Sequence, residues 1–468
     1  MGRGLARAVA VLAAALLGGC ADGAPPERPH LVLVAIDNLR ADHVGAYGYP
    51  RPTTPQLDAL ARDGVRFSNA TAPASWTKPS IASLFTSRWP SEHGAVSFER
   101  PIAREIPTLA EALSRAGYTT AGLSGNFVHI RSEMGFDRGF DRWRTLSVAV
   151  EEGDPDLLWT QPGGGSARAP NGEELTRLAL AEVPSHPERP FFLYVHYMDP
   201  HIPWAPDAER WKPFASDGEL RPTPAGSEYL VRLAAERPAV DPRERQRLLD
   251  LYDAEIAAVD AALGDLVRGL RERGICGPCV LVVTADHGEE FGEHGGWFHG
   301  STLYRESVAV PLVVRDFREA PAGAVRDEAV DLLDVAPTLL ALAGAAPPAG
   351  MRGTPLLGGA LPERTLVAEL HPDPSFEKAV APRVQRLSLL RWPWKVIASR
   401  AGEVVAYRVD RDPGEQAPAE GAPADLASRE ALAARLAELA LPASPGVTLS
   451  PEDRAALRAL GYLGDGAE

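Results

Sequence analysis

Cysteine is scarce in this sequence of 468 residues: Cys20, Cys276 and Cys279 are all there is. Three such positions cannot make a disulfide framework, so the fold has to rest on packing. Positive charge is in deficit, with 48 Lys plus Arg against 63 Asp plus Glu and a net charge of −15. The long-range field therefore repels polyanions, which argues against a nucleic-acid partner. If the substrate is itself anionic, the site has to overcome that field locally, with metal ions, Lys, Arg or oriented amides. Long hydrophobic runs are missing too. The leader's apolar run, residues 8–17, is far short of the ~20 residues that span a bilayer as a helix. No internal repeat is visible. What is present, 45% hydrophobic and 24% charged residues, is the balance of a chain that buries a large core, which excludes disorder and collagen-like structure.

The first twenty residues read as a targeting segment. Arg3 and Arg7 precede the apolar run, and Leu17-Gly18-Gly19-Cys20 closes it, a cleaved signal rather than a membrane helix. The closing tetrapeptide resembles a bacterial lipobox, in which the Cys becomes the acylated first residue of a lipoprotein; an ordinary signal peptide is the alternative. The expectation is an exported protein of the bacterial cell envelope, held to the membrane through a lipid on Cys20, with residues 21–29 as a tether. Cys276-Gly277-Pro278-Cys279 matches the thioredoxin tetrapeptide in letters only. There the motif follows a strand and opens a helix that stabilises the thiolate. Here a long helix ends near Gly274 and a strand follows, so no redox role is expected. A small structural disulfide and two packed thiols both stay open.

Apolar strands alternate with helical stretches, which predicts an α/β fold with a mostly parallel sheet sandwiched by helices. The clearest strands are residues 30–37, 119–124, 190–197, 280–286 and 310–315. The clearest helix carries Tyr252, Ile256, Val259, Leu263, Leu266 and Leu270 at helical spacing, with Asp253, Glu255, Asp260 and Asp265 read as its solvated face. Residues 153–172 and 203–242, rich in Pro, Gly and charge, read as loops rimming the sheet. After about Gly350 short Trp-containing strands and two terminal helices predict a smaller α+β subdomain. The division is thus 1–20 leader, 21–29 tether, 30–350 catalytic domain and 351–468 C-terminal subdomain.

Ligands of open α/β sheets bind outside the carboxyl ends of the strands, and polar clusters stand there. Asp37-Asn38 ends the first strand, Asp199-Pro200-His201 follows another, and Asp286-His287-Gly288 ends a third. One Asp at a strand end is usually a turn former; three such clusters are harder to dismiss. A mixed Asp and His set suits Mn or Zn, where an all-oxygen set would suit Ca or Mg. Ser75-Trp76-Thr77-Lys78-Pro79-Ser80 precedes a short apolar helix, with Thr77 just before an N-terminus whose amides favour an anion. Taken alone, Thr77 reads as a cap before a nucleophile.

These segments, LVLVAIDNLRADHVGAYGY, TKPSIASLFTSRWPSEHG, HYMDPHIPW, TADHGEEFGEHG, HGSTLYRESVAVPLVV and YRVDRDPGE, resemble the sulfatases of the alkaline phosphatase superfamily in order and spacing, from about His30 to Gly350. The resemblance implies a divalent metal held at the positions of Asp37, Asn38, Asp286 and His287. It puts Thr77 at the nucleophile, also as a metal ligand, with Lys78 beside it and His201 and His299 around the transferred anion as substrate-binding and catalytic groups. Asp199, His201 and His299 would supply a second metal site, if there is one. Five positions depart from the sulfate-ester pattern. Thr77 stands where sulfatases carry Cys or Ser, and Ile81 stands where their modification motif has Arg, so no formylglycine is expected. Asn38 replaces a common second Asp, His287 replaces Asn, and His299 replaces Lys, all closer to the phosphoryl-transferring side of the superfamily.

The expected function is metal-dependent cleavage or transfer of a phosphate or sulfate ester by Thr77, with phosphoester or phosphodiester chemistry favoured and a glycan or lipid head group as carrier. Sulfate-ester hydrolysis without formylglycine is the first alternative, and a non-catalytic lipoprotein that binds an anionic glycan is the second. His43, His93 and His294 are read as loop or packing residues. Trp76 is read as packing, Trp204 and Trp297 as pocket wall or core, and Glu289, Glu290 and Glu293 as a solvated flank. The lipobox reading has a direct test: Cys20→Ala should move the protein out of the membrane fraction or block processing of the leader, and unchanged membrane association would refute it.

Overall fold

The computed structural model describes residues 28–150, 159–160, 166–185, 187–202, 204, 206, 208–216, 218, 232–233, 236, 240–372 and 384–439. The leader with Cys20, the last 29 residues and much of 153–172 and 203–242 lie outside them. In chain order the elements used below are β1 (His30–Ile36), α1 (Pro55–Asp63), β2 (Val65–Thr71), α2 (Thr77–Thr86), β3 (Thr119–Ser124), β4 (Arg142–Thr145), α3 (Gly172–Glu182), β5 (Phe191–Tyr197), α4 (Pro242–Glu272), β6 (Cys279–Ala285), β7 (Leu312–Asp316) and β8 (Ala324–Asp331). A second set follows: β9 (Leu366–Leu370), β10 (Arg386–Arg391), β11 (Trp394–Ser399) and β12 (Val404–Arg408).

β1, β5 and β6 are buried along their whole length. Near-continuous apolar strands of this kind are stable only where helices cover both faces of a sheet. They form the centre of an eight-stranded sheet in the order β8-β2-β7-β6-β1-β5-β3-β4. Every pairing in it is parallel except the two made by β7. The carboxyl ends of β2, β6, β1, β5 and β3 thus meet at one edge, as the strand-end argument requires. The second set is an antiparallel sheet in the order β9-β10-β11-β12, packed with two short helices, Ala424–Ala427 and Arg429–Glu438, as the small C-terminal subdomain.

The acidic residues of α4 correct the sequence reading. Asp253 and Asp260 are buried rather than solvated, because each satisfies donors on a neighbouring element. Asp253 meets His43 Nδ1 at 2.7 Å and accepts from Tyr49 Oη at 2.6 Å and Arg51 at 2.6 Å. Asp260 accepts from the backbone N–H groups of Gln56 and Leu57, at 2.8 and 2.9 Å, at the start of α1, where a helix has orphan donors. Apolar periodicity finds the buried stripe of a helix but not the carboxylates that cap its neighbours. Cys276 and Cys279 form a disulfide in the turn between α4 and β6, which resolves the pair that the sequence left open.

Candidate active site

β1 delivers Asp37 and Asn38 to the edge of the sheet. Asn38 has a φ of 61°, in the left-handed region that Asn tolerates better than most residues. Tyr252 of α4 holds it there: its hydroxyl donates to the Asn38 carbonyl at 2.6 Å and accepts from Arg40 N–H at 3.0 Å. The next strand, β6, delivers Asp286 and His287. Asp286 Oδ1 accepts from the backbone N–H groups of Asn38 at 3.2 Å and His287 at 2.9 Å, so the two strand ends are tied to each other. Gly288 then has to be glycine, since a Cβ there would lie 2.0 Å from the Glu306 carbonyl oxygen.

Thr77 enters from β2. It is the first residue of α2 rather than the residue before it, with Trp76 as the cap. Its Oγ1 lies 3.2 Å from His287 Nε2 and 3.4 Å from Asp37 Oδ1. Ser80, one turn on, donates to the Asp286 carbonyl at 2.5 Å and locks α2 against the end of β6. His287 Nδ1 faces the Gly288 carbonyl at 2.9 Å, which fixes the tautomer with its lone pair on Nε2, toward Thr77 and Asp37.

Three further residues belong here that the sequence reading did not assign. His196 of β5 approaches Asp37 Oδ2 with Nε2 at 3.1 Å, and its Nδ1 meets Tyr194 Oη at 2.9 Å. Asn126, just past β3, donates to Asp37 Oδ2 at 3.1 Å. The rule that found Asp37 and Asp286 reaches both, because each stands at or just beyond a strand's carboxyl end. Glu289, read as part of a solvated flank, is 1% exposed. It accepts from Asn38 Nδ2, and its Oε1 lies 3.1 Å from His299 Nδ1. Glu290 is equally buried, and Glu293 pairs with Arg40 at 2.7 Å. All three carboxylates have inward donors that a plain run of Glu does not reveal.

His299 stands between His287 and His201, with ring centroids 4.5 and 5.2 Å away, and His201 Nδ1 faces the Ile202 carbonyl at 2.6 Å. Asp199 is elsewhere. Its carboxylate accepts from the Gly172 N–H at 2.7 Å, at the N-terminus of α3, and burial raises its pKa to about 6. The second metal site of Asp199, His201 and His299 is therefore not assembled. Lys78 is buried, with its ammonium on the carbonyls of Ser97 and Phe98, both at 2.9 Å, and Met134 Sδ at 3.1 Å. It supplies positive charge under the site. Of the discounted residues, His93 packs between Ser83 and the Pro79 carbonyl, and His294 bonds Glu306 and stacks on Tyr304. Trp76, Trp204 and Trp297 are all buried.

Electrostatically the centre is two buried carboxylates facing each other. Burial pushes Asp37 up, but the His196 hydrogen bond and the His201 charge overcome it and hold the group below the usual carboxylate range. Burial and the Asp37 charge drive Asp286 well above that range. Burial likewise keeps His287 and His201 below the ordinary imidazole value and lowers His299 to about 4. Asn38 Oδ1 and Asp286 Oδ2 are buried without a hydrogen bond among the described residues, and such atoms call for an explanation. The ligand-type atoms of Asp37, His196 and Asp286 lie within 4.8 Å of one another, and His287 Nε2 is 3.6 Å from Asp37 Oδ1 and 3.4 Å from Asp286 Oδ2. Like charges, orphan oxygens and a lone-pair nitrogen together fit one divalent cation.

Comparison with known proteins agrees with this arrangement. The sulfatase family model matches residues 29–345. The chain belongs to the sulfatase family. Among its relatives, N-acetylglucosamine-6-O-sulfatase of Bacteroides thetaiotaomicron is 25% identical over 418 residues, 74% of this chain and 73% of the relative. A structure solved with its substrate D-glucosamine-2-N,6-O-disulfate superposes with a TM-score of 0.69 at 20% identity, covering 88% of this chain and 97% of that one. The phosphonate monoester hydrolase of Agrobacterium radiobacter gives 0.67 at 22% identity, covering 88% and 95%. This member of the sulfatase family is therefore an ester hydrolase by descent, in a family that generally binds a divalent metal.

The donor set makes a binding prediction independent of turnover. Protein stripped by chelation should bind Mn or Zn at least about tenfold more tightly than Ca, since imidazole favours the former. His287→Ala should erase that preference in the same titration. Equal affinities for Ca and Mn in the unaltered protein would contradict it.

Proposed function

We propose that this protein is a metal-dependent phosphoesterase or phosphoryl transferase of the sulfatase family in which the hydroxyl of Thr77 is the nucleophile. The observation that carries the reading is the place of Thr77 Oγ1, 3.2 Å from His287 Nε2 and 3.4 Å from Asp37, at the first residue of α2. Ile81, in place of the Arg of the oxidation motif, supports a nucleophile that stays an alcohol. Asp37, Asn38, Asp286 and His287 are the residues that would hold a divalent cation, which when bound lowers the pKa of the Thr77 hydroxyl and neutralises charge on the ester.

The remaining work is positioning and charge, which is most of what phosphoryl transfer asks of a protein. The free amides and dipole of α2 attract the anion, and the buried Lys78 ammonium adds to that field. Thr77 Oγ1, ionised before attack, bonds to phosphorus as the ester P–O bond breaks, and His201 or His299 in its protonated form gives the departing oxygen its proton. Water, or an acceptor hydroxyl, then takes the phosphoryl group from Thr77 and returns a proton to the same ring. His196 and Asn126 keep Asp37 oriented throughout. A sulfate ester in the same place is the second reading, favoured by the 25% identity to an N-acetylglucosamine-6-O-sulfatase; a sulfated or phosphorylated glycan suits either. We place the enzyme in the bacterial cell envelope, lipid-anchored through Cys20.

Thr77→Ala should lower kcat by several orders of magnitude on phosphate or sulfate esters, because an obligatory covalent step is lost, while Thr77→Ser retains part of the rate. Steady-state rates on paired phosphate and sulfate esters of one alcohol decide both nucleophile and ester class. A Thr77→Ala enzyme within about tenfold of the parent, ~1.4 kcal/mol of barrier, would mean that water attacks directly.

A further inference from the structure

We propose that His294 is a positioning residue whose ring, protonated on both nitrogens, ties the C-terminal subdomain to the hairpin that carries His299 and so sets where His299 meets the substrate. The proposal rests on the reading above that His299 touches the ester, and it holds for either ester class. Past His287 the chain forms a small antiparallel hairpin, Glu290–Phe291 with Trp297–Phe298. His294 lies in its turn, and His299 follows its second strand directly. The Gly292 N–H reaches the Gly296 carbonyl at 2.8 Å across that turn, so what fixes His294 also fixes the approach to His299.

The ring has an acceptor on each side. Nδ1 lies 2.5 Å from Glu306 Oε1 and Nε2 lies 3.0 Å from the Glu415 carbonyl, and an imidazole serves two acceptors only as the cation, with a proton on each nitrogen. Its face stacks on Tyr304, with centroids 3.6 Å apart. The Gln416 amide nitrogen, 3.3 Å from Nε2, donates instead to the Gly414 carbonyl at 3.0 Å. On the subdomain's side, Glu415 has a φ of 54°, a left-handed conformation that a non-glycine residue keeps only where its surroundings hold it. Its buried carboxylate accepts from Lys395 Nζ of β11 and from the Arg305 N–H, both at 3.0 Å, with its carbonyl on His294. The charged groups around the ring are Glu306 from the helix Arg305–Val308, Glu415 from the subdomain and Glu293 in its own turn, whose carboxylate is taken by Arg40 and Arg245. Burial disfavours the cation, but the Glu306 hydrogen bond and the Glu415 carbonyl overcome it and raise the pKa to about 9. A group raised in this way keeps its bonds at neutral pH and gives them up as pH climbs through that value.

The test uses the metal-saturated full chain with His294→Gln, Glu306→Gln and His299→Ala. Near neutral pH His294→Gln should lower kcat/KM about tenfold or more, with metal affinity and melting midpoint close to the parent's. The ratio of parent to variant should shrink toward one as pH rises through about 9, because the parent then loses the same bonds. In a His299→Ala background His294→Gln should cost less than about twofold, since it acts through His299; a merely structural role would cost the same in both. Imidazole nitrogen NMR of the parent stands even if His294→Gln does not fold. One histidine, shifted by Glu306→Gln, should carry protons on both nitrogens at neutral pH. A neutral His294 at that pH, a parent-to-variant ratio that does not change with pH, or an equal loss with and without His299 would each overturn the proposal. His299→Ala alone tests the reading beneath it. Parent-like rates there would remove the role of His299 and this proposal with it, whereas a large loss there beside an unchanged His294→Gln enzyme would remove the proposal alone.

Discussion

Two carboxylates, Asp37 and Asp286, are brought together at the ends of adjacent parallel strands and shut away from water. Left alone, such a pair is unstable, because burial and mutual repulsion both oppose ionising the second group. The surroundings address that conflict from every side. His196 and Asn126 bond Asp37, backbone amides of Asn38 and His287 bond Asp286, and His287 presents a lone pair between them. What remains unsatisfied, Asp286 Oδ2 and Asn38 Oδ1, is what a divalent cation would take up. The site is a place where folding accepts an electrostatic penalty that ligand binding relieves.

The scaffold exists to hold that pair in register. β1 and β6 run side by side from His30↔Cys279 to Ile36↔Ala285, so the residue after each strand arrives at the same level. Tyr252 clamps the left-handed turn at Asn38, and Ser80 ties α2 to the Asp286 carbonyl. Each is a hydrogen bond across elements distant in sequence, which is why a buried helix such as α4 bears on the chemistry without touching it.

Much of the fold was legible because central strands sandwiched between helices must be apolar throughout. β3 matches the expected 119–124, and β5 and β6 lie within a residue of their expected bounds. The strand-end rule found Asp37, Asn38, His201, Asp286 and His287, the helix start pointed to Thr77, and the motif resemblance added His299; the structure brings these together. Asp199 misled because its neighbour His201 turns inward while its own carboxylate caps α3. Glu289 and Asp253 were misread for one shared reason: a carboxylate's fate depends on donors contributed by other elements, and no local pattern records them. His196 stands one residue before the end of the buried strand FFLYVHY, within reach of the strand-end rule but masked by the apolar run around it.

On the proposed reading the chemistry is a double displacement, with Thr77 carrying the transferred group between two in-line steps. The most direct measurement is the stereochemical course of the reaction, using an ester made chiral at the transferred phosphorus or sulfur by oxygen isotopes. Two displacements through Thr77 should give net retention of configuration. Net inversion would mean a single attack by water and would contradict the account, leaving Thr77 as a ligand or a helix-terminus residue.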